Sequence, residues 1–179
     1  MDTLDHMLSP LLESMSGSKF FNVLLILGIQ LIQYLRVHGL DPAGPMFERC
    51  TNEVRIDRSD GAFVDIMHTN GGNEDNGFLG INAAVGHADF FPNGGHNQAG
   101  CGSNNFICSH NEATKIWIDS VKNGGCNFNP CASESDYLAG KCSGRCTSGS
   151  SCNNLGYGSK KPSRNTLYYG DTNNRAPYC

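Results

Sequence analysis

Residues 39–45 read Gly-Leu-Asp-Pro-Ala-Gly-Pro and follow a short strand-like run, Leu-Arg-Val-His, that begins at Leu35. Pro42 and Pro45 cannot continue a strand or helix ladder, so the chain turns there and Asp41 stands at the end of the strand. In open α/β sheets, the carboxyl ends of the strands carry the ligand-binding and catalytic groups. An Asp-Pro pair after a strand is also an ordinary turn signal, and on these residues alone that interpretation stays open.

Three blocks downstream of this stretch follow in order. They are residues 55–70 (Arg-Ile-Asp-Arg-Ser-Asp-Gly-Ala-Phe-Val-Asp-Ile-Met-His-Thr-Asn), 85–95 (Val-Gly-His-Ala-Asp-Phe-Phe-Pro-Asn-Gly-Gly) and 101–110 (Cys-Gly-Ser-Asn-Asn-Phe-Ile-Cys-Ser-His). With residues 39–45 they resemble the second half of the catalytic domain of the pancreatic-lipase family, particularly its phospholipase A1-like members from arthropods. The resemblance covers residues 35–179 and implies an α/β chain with a partial α/β-hydrolase fold. This fold would comprise the C-terminal part of the sheet, its helices and a disulfide-rich C-terminal tail.

The resemblance assigns catalytic roles to two residues. Asp41 would be the acid of a Ser-His-Asp triad, which accepts the Nδ1 proton of the histidine and fixes its orientation. His110 would be the general base, which takes the proton of a serine and returns it to the leaving alcohol. A histidine at such a position is usually a surface residue, so the assignment depends on the surrounding blocks.

The sequence after Cys108 predicts a helix. Residues 109–112, Ser-His-Asn-Glu, have the spacing of a capping box and would place His110 at the helix N-terminus. Gly124 and Gly125 would end the helix. Its buried face would be formed by Ala113, Ile116, Trp117 and Val121.

Two other stretches predict strands. Residues 62–69 are apolar and β-prone, and residues 85–91 run into the turn Pro-Asn-Gly-Gly. His68 and His87 lie in these stretches, and we assign them hydrogen-bonded structural positions without a catalytic role. The glycine pairs of the loops lack the spacing of a P-loop or dinucleotide motif, so phosphate binding is not predicted.

The serine nucleophile is the element that the sequence does not supply. A lipase carries it in a Gly-x-Ser-x-Gly turn between a strand and a helix, and this motif occurs nowhere in the chain. Ser16 and Ser18 lie upstream of Asp41, where the resemblance would place the nucleophile. They lack both glycines of the turn, and the simpler interpretation is a polar helix cap. We therefore predict very low ester hydrolysis by this chain alone.

Residues 52–60, Asn-Glu-Val-Arg-Ile-Asp-Arg-Ser-Asp, are similar to the family's structural calcium loop. The resemblance implies that Ca²⁺, which binds several oxygen ligands, is held by the carbonyl oxygens of Asn52 and Arg55 and by the side chains of Asp57 and Asp60. An acid can occur in the family where this chain has Asn52, and a main-chain ligand survives that change. The alternative is a solvated acidic turn with local arginine pairing. No cofactor is expected for catalysis itself.

Composition and charge exclude several classes of function. The 179-residue chain is long enough for one domain with a core. Its charged fraction of 17% and its 22 glycines are typical of a loop-rich globular protein. The net charge of −4 provides no basic surface for nucleic acid. Nine cysteines scattered through Gly/Ser/Asn-rich loops indicate disulfides in a secreted protein, and because nine is odd at least one has no partner within the chain.

The resemblance also implies cysteine pairs. These are Cys101–Cys108, Cys131–Cys142 and Cys146–Cys152. The first pair would close a lid that is almost absent here, which leaves the active site open. Cys50, Cys126 and Cys179 receive no partner. A metal site is the alternative for the tail cysteines, but they form no paired Cys-x-x-Cys, and disulfides are favoured.

Residues 1–34 fit neither the family pattern nor a secretory signal. They carry acids before Lys19 rather than a basic start. The apolar run of residues 20–35 contains three amide side chains and is too short and polar for a clear membrane span. We expect a buried helix that leads into the strand, and an uncleaved signal-anchor is the alternative. The chain would thus divide into a segment outside the family pattern, 1–34, and a lipase-like portion, 35–179.

Two functions remain open at this point. The first is a secreted lipid carboxylic-ester hydrolase, of triacylglycerol lipase or phospholipase A1 type, that acts on a lipid ester at a lipid–water interface. The second is a non-catalytic lipase-like protein that binds lipid or a protein partner, as yolk-protein relatives do. Turnover and saturable lipid binding distinguish the two.

Overall fold

The computed structural model describes residues 35–142, 146 and 151–179, and the compact unit within them begins at Arg36 and ends at Cys179. The candidate serines Ser16 and Ser18, and all but the last residue of the apolar run, lie outside the described residues. The predicted segment boundary and the predicted buried helix therefore stay predictions. None of the helices in the described part of the chain has the length and apolar character that a membrane crossing requires.

Six strands form one sheet. They are β1 (Arg36–Leu40), β2 (Phe63–Met67), β3 (Ala88–Pro92), β4 (Asn127–Pro130), β5 (Asn153–Asn154) and β6 (Thr166–Gly170). Their order across the sheet is β1-β2-β3-β6-β4-β5. The first four strands in this order are parallel, whereas β4 runs antiparallel to β6 and β5. This sheet, with a helix packed on it, confirms the predicted α/β class.

The centre of the sheet is buried on both faces. Every residue of β2 and β3 is buried, as expected for parallel strands that are covered on both sides. The larger core lies against α1 (Phe106–Asn123), which contributes Ala113 and Ile116. Phe90 and Tyr168 stack on each other in this core, with ring centroids 5.0 Å apart. The sheet therefore provides a rigid base for the residues at the ends of its strands.

The third strand begins later than the sequence predicted. Residues 85–87 form a bend before β3, because the carboxylate of Asp89 accepts hydrogen bonds from the amides of Val85 and Gly86 at 3.1 Å. A Cβ atom on Gly86 would lie 2.9 Å from the carbonyl oxygen of Ala88, so the bend requires glycine. The strands predicted at residues 35–41 and 62–69 are confirmed as β1 and β2.

The helix that carries His110 begins earlier than predicted, and the capping-box prediction is wrong. The N-cap of α1 is Asn105, whose side chain accepts the amide of Cys108 at 3.1 Å. The hydroxyl of Ser109 instead accepts the amide of Gln98. His110 therefore lies inside the helix rather than at its N-terminus.

The predicted buried face of α1 is correct in part. Ala113 and Ile116 are buried, whereas Val121 is 54% exposed and the neighbouring Ser120 is buried instead. The helix ends at Gly124, as predicted, and the φ of 83° at this residue is one that glycine adopts readily.

Disulfides hold the C-terminal part of the chain, which contains β4, α2 (Glu134–Leu138), β5 and β6. The pairs Cys131–Cys142 and Cys146–Cys152 form as the resemblance implied. A further bond, Cys126–Cys179, spans 53 positions of sequence and ties the C-terminal residue to the segment that follows α1. Cys50 is the free cysteine.

Candidate active site

Asp41 lies at the carboxyl end of β1, as predicted, and its side chain is fully buried. Its amide donates to the carbonyl oxygen of Met67 and so continues the β1–β2 ladder by one residue. The amides of Thr69 and Asn70 donate to Oδ1 of the carboxylate at 2.8 and 2.9 Å. The backbone of Asp41 is left-handed, with φ of 47°, a conformation that aspartate tolerates better than most residues. The two amides fix the orientation of the carboxylate.

Gly80 is a part of this site that the sequence reasoning missed. Its amide donates to the carbonyl oxygen of Asn70 at 2.9 Å. A Cβ atom on Gly80 would overlap the Asp41 carboxylate, only 2.6 Å from Cγ. The residue must therefore lack a side chain for the buried acid to fit. The sequence signal was the isolated glycine between Leu79 and Ile81, which marks a close approach of backbone to another group.

His110 approaches the other oxygen of the same carboxylate. Nδ1 of His110 lies 2.6 Å from Oδ2 of Asp41. Because the carboxylate accepts, Nδ1 carries the proton and the neutral ring presents Nε2 as a base. Among the described residues Nε2 has no hydrogen-bond partner, and 35% of the side chain is exposed. The ring is thus fixed through one nitrogen and accessible at the other.

The carboxylate also controls the charge of the ring. The hydrogen bond that His110 donates to Asp41 raises the pKa of His110, burial opposes this shift, and the negative charge of Asp41 adds to it. The protonated ring is therefore stabilised in the folded protein. A general base of the triad type requires this stabilisation, because its imidazolium form appears during the reaction.

Gln98 links α1 to the ends of β2 and β3 by hydrogen bonds. Its side-chain nitrogen donates to the carbonyl oxygens of Thr69 and Pro92, both at 2.9 Å, and its amide donates to the hydroxyl of Ser109 at 3.1 Å. The hydroxyl of Thr69 donates to the carbonyl oxygen of His110 at 3.4 Å. These contacts hold the first turns of α1 in register with the residues that bind Asp41.

An apolar rim lies next to this pair. The disulfide Cys101–Cys108 closes a short loop, as predicted, immediately before His110. Ile107, three residues before His110 on α1, is 68% exposed. The ring of Phe106 packs on that of Phe78, with centroids 4.8 Å apart. Phe106 and Ile107 lie four and three residues before His110, and residues at this spacing are neighbours on a helix surface.

The predicted calcium loop is held together by its own carboxylates. Asp57 caps the 3₁₀ turn Arg58–Asp60, and its Oδ1 accepts from the amide and the hydroxyl of Ser59 at 2.5 and 2.6 Å. The side chain of Asp60 accepts the amide of Asp57 at 2.8 Å. The hydrogen bond from Ser59 is the main reason that the pKa of Asp57 is lowered, so this side chain stays anionic.

The second oxygen of Asp57 has no such partner. Oδ2 is buried and without a hydrogen-bond partner among the described residues. The nearby arginines are directed elsewhere: Arg58 donates to the carbonyl oxygens of Ala84 and Gly86, and Arg55 donates to a carbonyl and an amide side chain. A buried, anionic oxygen without a donor suits a cation. The positive charges of Arg55 and Arg58 also lower the pKa of Asp57, as the alternative of an acidic turn with nearby arginines expects.

The fold and this geometry define a class of protein. A largely parallel sheet carries a buried aspartate at the end of one strand and a hydrogen-bonded histidine on a helix after a later strand. This is the arrangement of the acid and the base in α/β-hydrolases, and the chain has part of that fold.

The chain belongs to the lipase family, whose pattern it matches over residues 26–178. It is similar to Lipase member H of Rattus norvegicus, with 37% identity over 163 residues that cover 80% of this chain and 34% of the relative. Lipase member H of Mus musculus is 43% identical and Phospholipase A1 member A of Homo sapiens is 41% identical, each over 115 residues. Those alignments cover 60% of this chain and 24% of each relative. The resemblance to the pancreatic-lipase family is thus confirmed.

Proposed function

We propose that this chain forms the acid–base half of the active site in a lipid carboxylic-ester hydrolase of the triacylglycerol lipase or phospholipase A1 type. The 2.6 Å contact between Nδ1 of His110 and Oδ2 of Asp41 carries the proposal. The relatives named as a lipase and as a phospholipase A1 support a lipid ester as the substrate. The exposed apolar Ile107 beside the pair supports a substrate that arrives from a lipid surface.

In this proposal His110 transfers one proton and Asp41 stabilises the charge that results. Nε2 of His110 accepts the proton of a serine hydroxyl while the oxygen attacks the ester carbonyl carbon, and the resulting imidazolium is stabilised by Asp41. The imidazolium then donates the proton to the leaving alcohol, which departs from the acyl-enzyme. Water repeats the same steps and releases the fatty acid. Asp41 stays ionised throughout and is held for this role by the amides of Thr69 and Asn70.

Asp41 and His110 require a serine nucleophile, which the residues described above do not supply. No Gly-x-Ser-x-Gly turn is present in the sequence, and none of the described residues places a hydroxyl within hydrogen-bond distance of Nε2. We therefore expect the chain by itself to show neither ester turnover nor labelling by serine-directed fluorophosphonates. Efficient turnover that such a reagent blocks would contradict this part of the proposal.

A chimaera tests the role of the pair directly. The chain from residue 35 onward is joined to the preceding part of a lipase-family relative that carries Gly-x-Ser-x-Gly, and hydrolysis of short and long acyl esters is measured. We expect turnover, and His110→Gln or Asp41→Asn should reduce kcat by about 10⁴-fold, as in other triads. His38→Gln, a histidine of β1 outside the pair, is the control.

The chimaera also separates the two candidate functions. Turnover that survives His110→Gln would show that the pair is not catalytic. A folded chimaera that binds lipid vesicles saturably but hydrolyses nothing would favour the non-catalytic lipid-binding alternative.

We also propose a structural calcium ion in the loop of residues 52–60. Asp57 and Asp60 would supply side-chain oxygens, and Asn52 and Arg55 would supply carbonyl oxygens. The support is the buried Oδ2 of Asp57, which lacks a donor, and the lowered pKa of the same side chain, caused mainly by Ser59. Such an ion would order the loop that connects β1 to β2, and it would take no part in the reaction.

We propose that the protein works outside the reducing cytosol. The four disulfides of the structure support this location, because such bonds persist in oxidising compartments. Their formation in protein recovered from the medium of expressing cells, measured by mass spectrometry without reduction, is the test. Recovery of the folded protein only from the cytosol with free thiols would contradict the proposal.

A further inference from the structure

His68 and Asp89 form a second histidine–carboxylate pair, completely enclosed beneath the site. Nε2 of His68 lies 2.9 Å from Oδ1 of Asp89, and the side chains are 0% and 1% exposed. The other ring nitrogen, Nδ1, lies 3.0 Å from the carbonyl oxygen of Ile81. The mechanism proposed above uses neither residue.

The partners of the two ring nitrogens determine the charge of the ring. A carbonyl oxygen can only accept a hydrogen bond, so Nδ1 must donate to Ile81. Oδ1 of Asp89 already faces two donors, the amides of Val85 and Gly86 at 3.1 Å, and Oδ2 faces the amide of Gly86. These donors favour the ionised carboxylate, so Nε2 must donate as well. A ring that donates from both nitrogens is an imidazolium.

The surroundings of the ring suit a buried cation. The ring of Phe91 stacks on it at a centroid distance of 4.3 Å and an interplanar angle of 5°. An aromatic face attracts a cation in such a position. The carboxylate of Asp89 supplies the opposite charge, and both partners have their hydrogen bonds satisfied, as a buried ion pair requires.

The pair lies directly behind the amides that hold Asp41. Thr69 and Asn70, whose amides donate to Oδ1 of Asp41, follow His68 in sequence. The backbone amide of His68 donates to the carbonyl oxygen of Phe90 at 2.8 Å. The ring and backbone of His68 thus fasten the start of this segment to β3 and to the bend before it.

We propose that His68 is a positioning residue, whose buried ion pair with Asp89 holds the Thr69 and Asn70 amides in place for Asp41. The catalytic meaning of this inference rests on the proposed function, because Asp41 matters as a triad acid only there. The positions of His68, Asp89 and the two amides do not depend on hydrolysis.

The first test needs no substitution in the pair. In the full chain labelled with ¹⁵N-histidine, long-range ¹H–¹⁵N spectra at pH 7.5 report the protonation of each ring nitrogen. We expect two protonated nitrogens for His68. A His68 ring with one unprotonated nitrogen at pH 7.5 would overturn the proposal.

The second test measures the positioning effect in Asp89→Asn, which keeps the shape of the side chain and removes its charge. We expect amide hydrogen exchange at Thr69 and Asn70 to be about tenfold or more faster than in the unmodified chain, beyond any change in the rate of global unfolding. The reason is that the buried His68 ring loses its charged partner. The apparent pKa of His110 should also move toward its ordinary value.

Asp65→Asn is the matched control. Asp65 lies on β2, and its Oδ1 is 2.8 Å from Nδ1 of His38 in a contact without hydrogen-bond geometry. It precedes Thr69 and Asn70 by four and five residues, but its carboxylate contacts Arg36 and His38 of β1 rather than His68. Neither readout should therefore move. Equal effects in the two variants would overturn the positioning role. Because both readouts are independent of ester turnover, they distinguish failure of this inference from failure of the proposed function.

Discussion

Gly80 lies directly against Asp41: a Cβ atom on Gly80 would be 2.6 Å from Cγ of the buried carboxylate. Gly80 must therefore lack a side chain for the carboxylate of Asp41 to occupy its position. Asp41 follows β1, and Gly80 lies in the loop after β2. A single methyl group added at Gly80 would therefore disturb the site.

Gly80→Ala should consequently destabilise the protein. Overpacking of a close-packed site costs about 1–3 kcal/mol, and the carboxylate must shift away from His110. Urea unfolding measures the change in the free energy of unfolding. Gly102→Ala is the matched control, because a Cβ there has no atom within 4 Å, and its effect should stay within about 0.5 kcal/mol. Equal effects of the two substitutions would show that Gly80 is not a packing constraint.

The stability contributed by His110 should depend on pH. Its pKa is raised in the folded state, first by the hydrogen bond with Asp41. The contribution is therefore fully present below the unfolded value of 6.5 and is lost as the pH rises through the folded pKa. We expect His110→Gln to reduce the free energy of unfolding more at pH 5.5 than at pH 9, as measured by urea denaturation.

His87→Gln provides a control with the opposite sign. Burial is the main reason that the pKa of His87 is lowered, so the native His87 costs stability at acidic pH. The loss in His87→Gln should therefore be smaller at pH 5.5 than at pH 9. Parallel pH profiles for the two variants would contradict the assigned coupling of His110 to Asp41.

Calcium should stabilise the protein through the loop of residues 52–60. At a concentration a hundredfold above Kd, a ligand of the native state adds about 2.7 kcal/mol, and calorimetry should show saturable binding of Ca²⁺. Asp57→Asn should remove both effects. Asp75→Asn, at an exposed acid of another turn, should leave them unchanged. Identical calcium responses of the two variants would exclude the loop as the site.

The sequence predicted the site better where the signal was local. The prolines after Asp41 marked the end of β1, and the blocks around His110 carried the family resemblance, so both residues could be predicted as an acid and a base. The helix start was misplaced because Asn105 and Ser109 are both good cap residues, and only the tertiary contact of Ser109 with Gln98 decides between them. The isolated Gly80 indicated a close backbone approach but not its partner, and the Cys126–Cys179 bond could not be assigned, because both depend on residues far apart in sequence.

The coupling of Asp41 to His110 can be measured by an NMR titration of the His110 ring. The chemical shifts of the ring are followed from pH 4 to pH 10 in the unmodified chain and in Asp41→Asn. We expect a pKa above 6.5 for His110 in the unmodified chain and a clear fall when the carboxylate is replaced. The same pKa in both proteins, with the fold intact, would contradict the claim that the two residues form one acid–base unit.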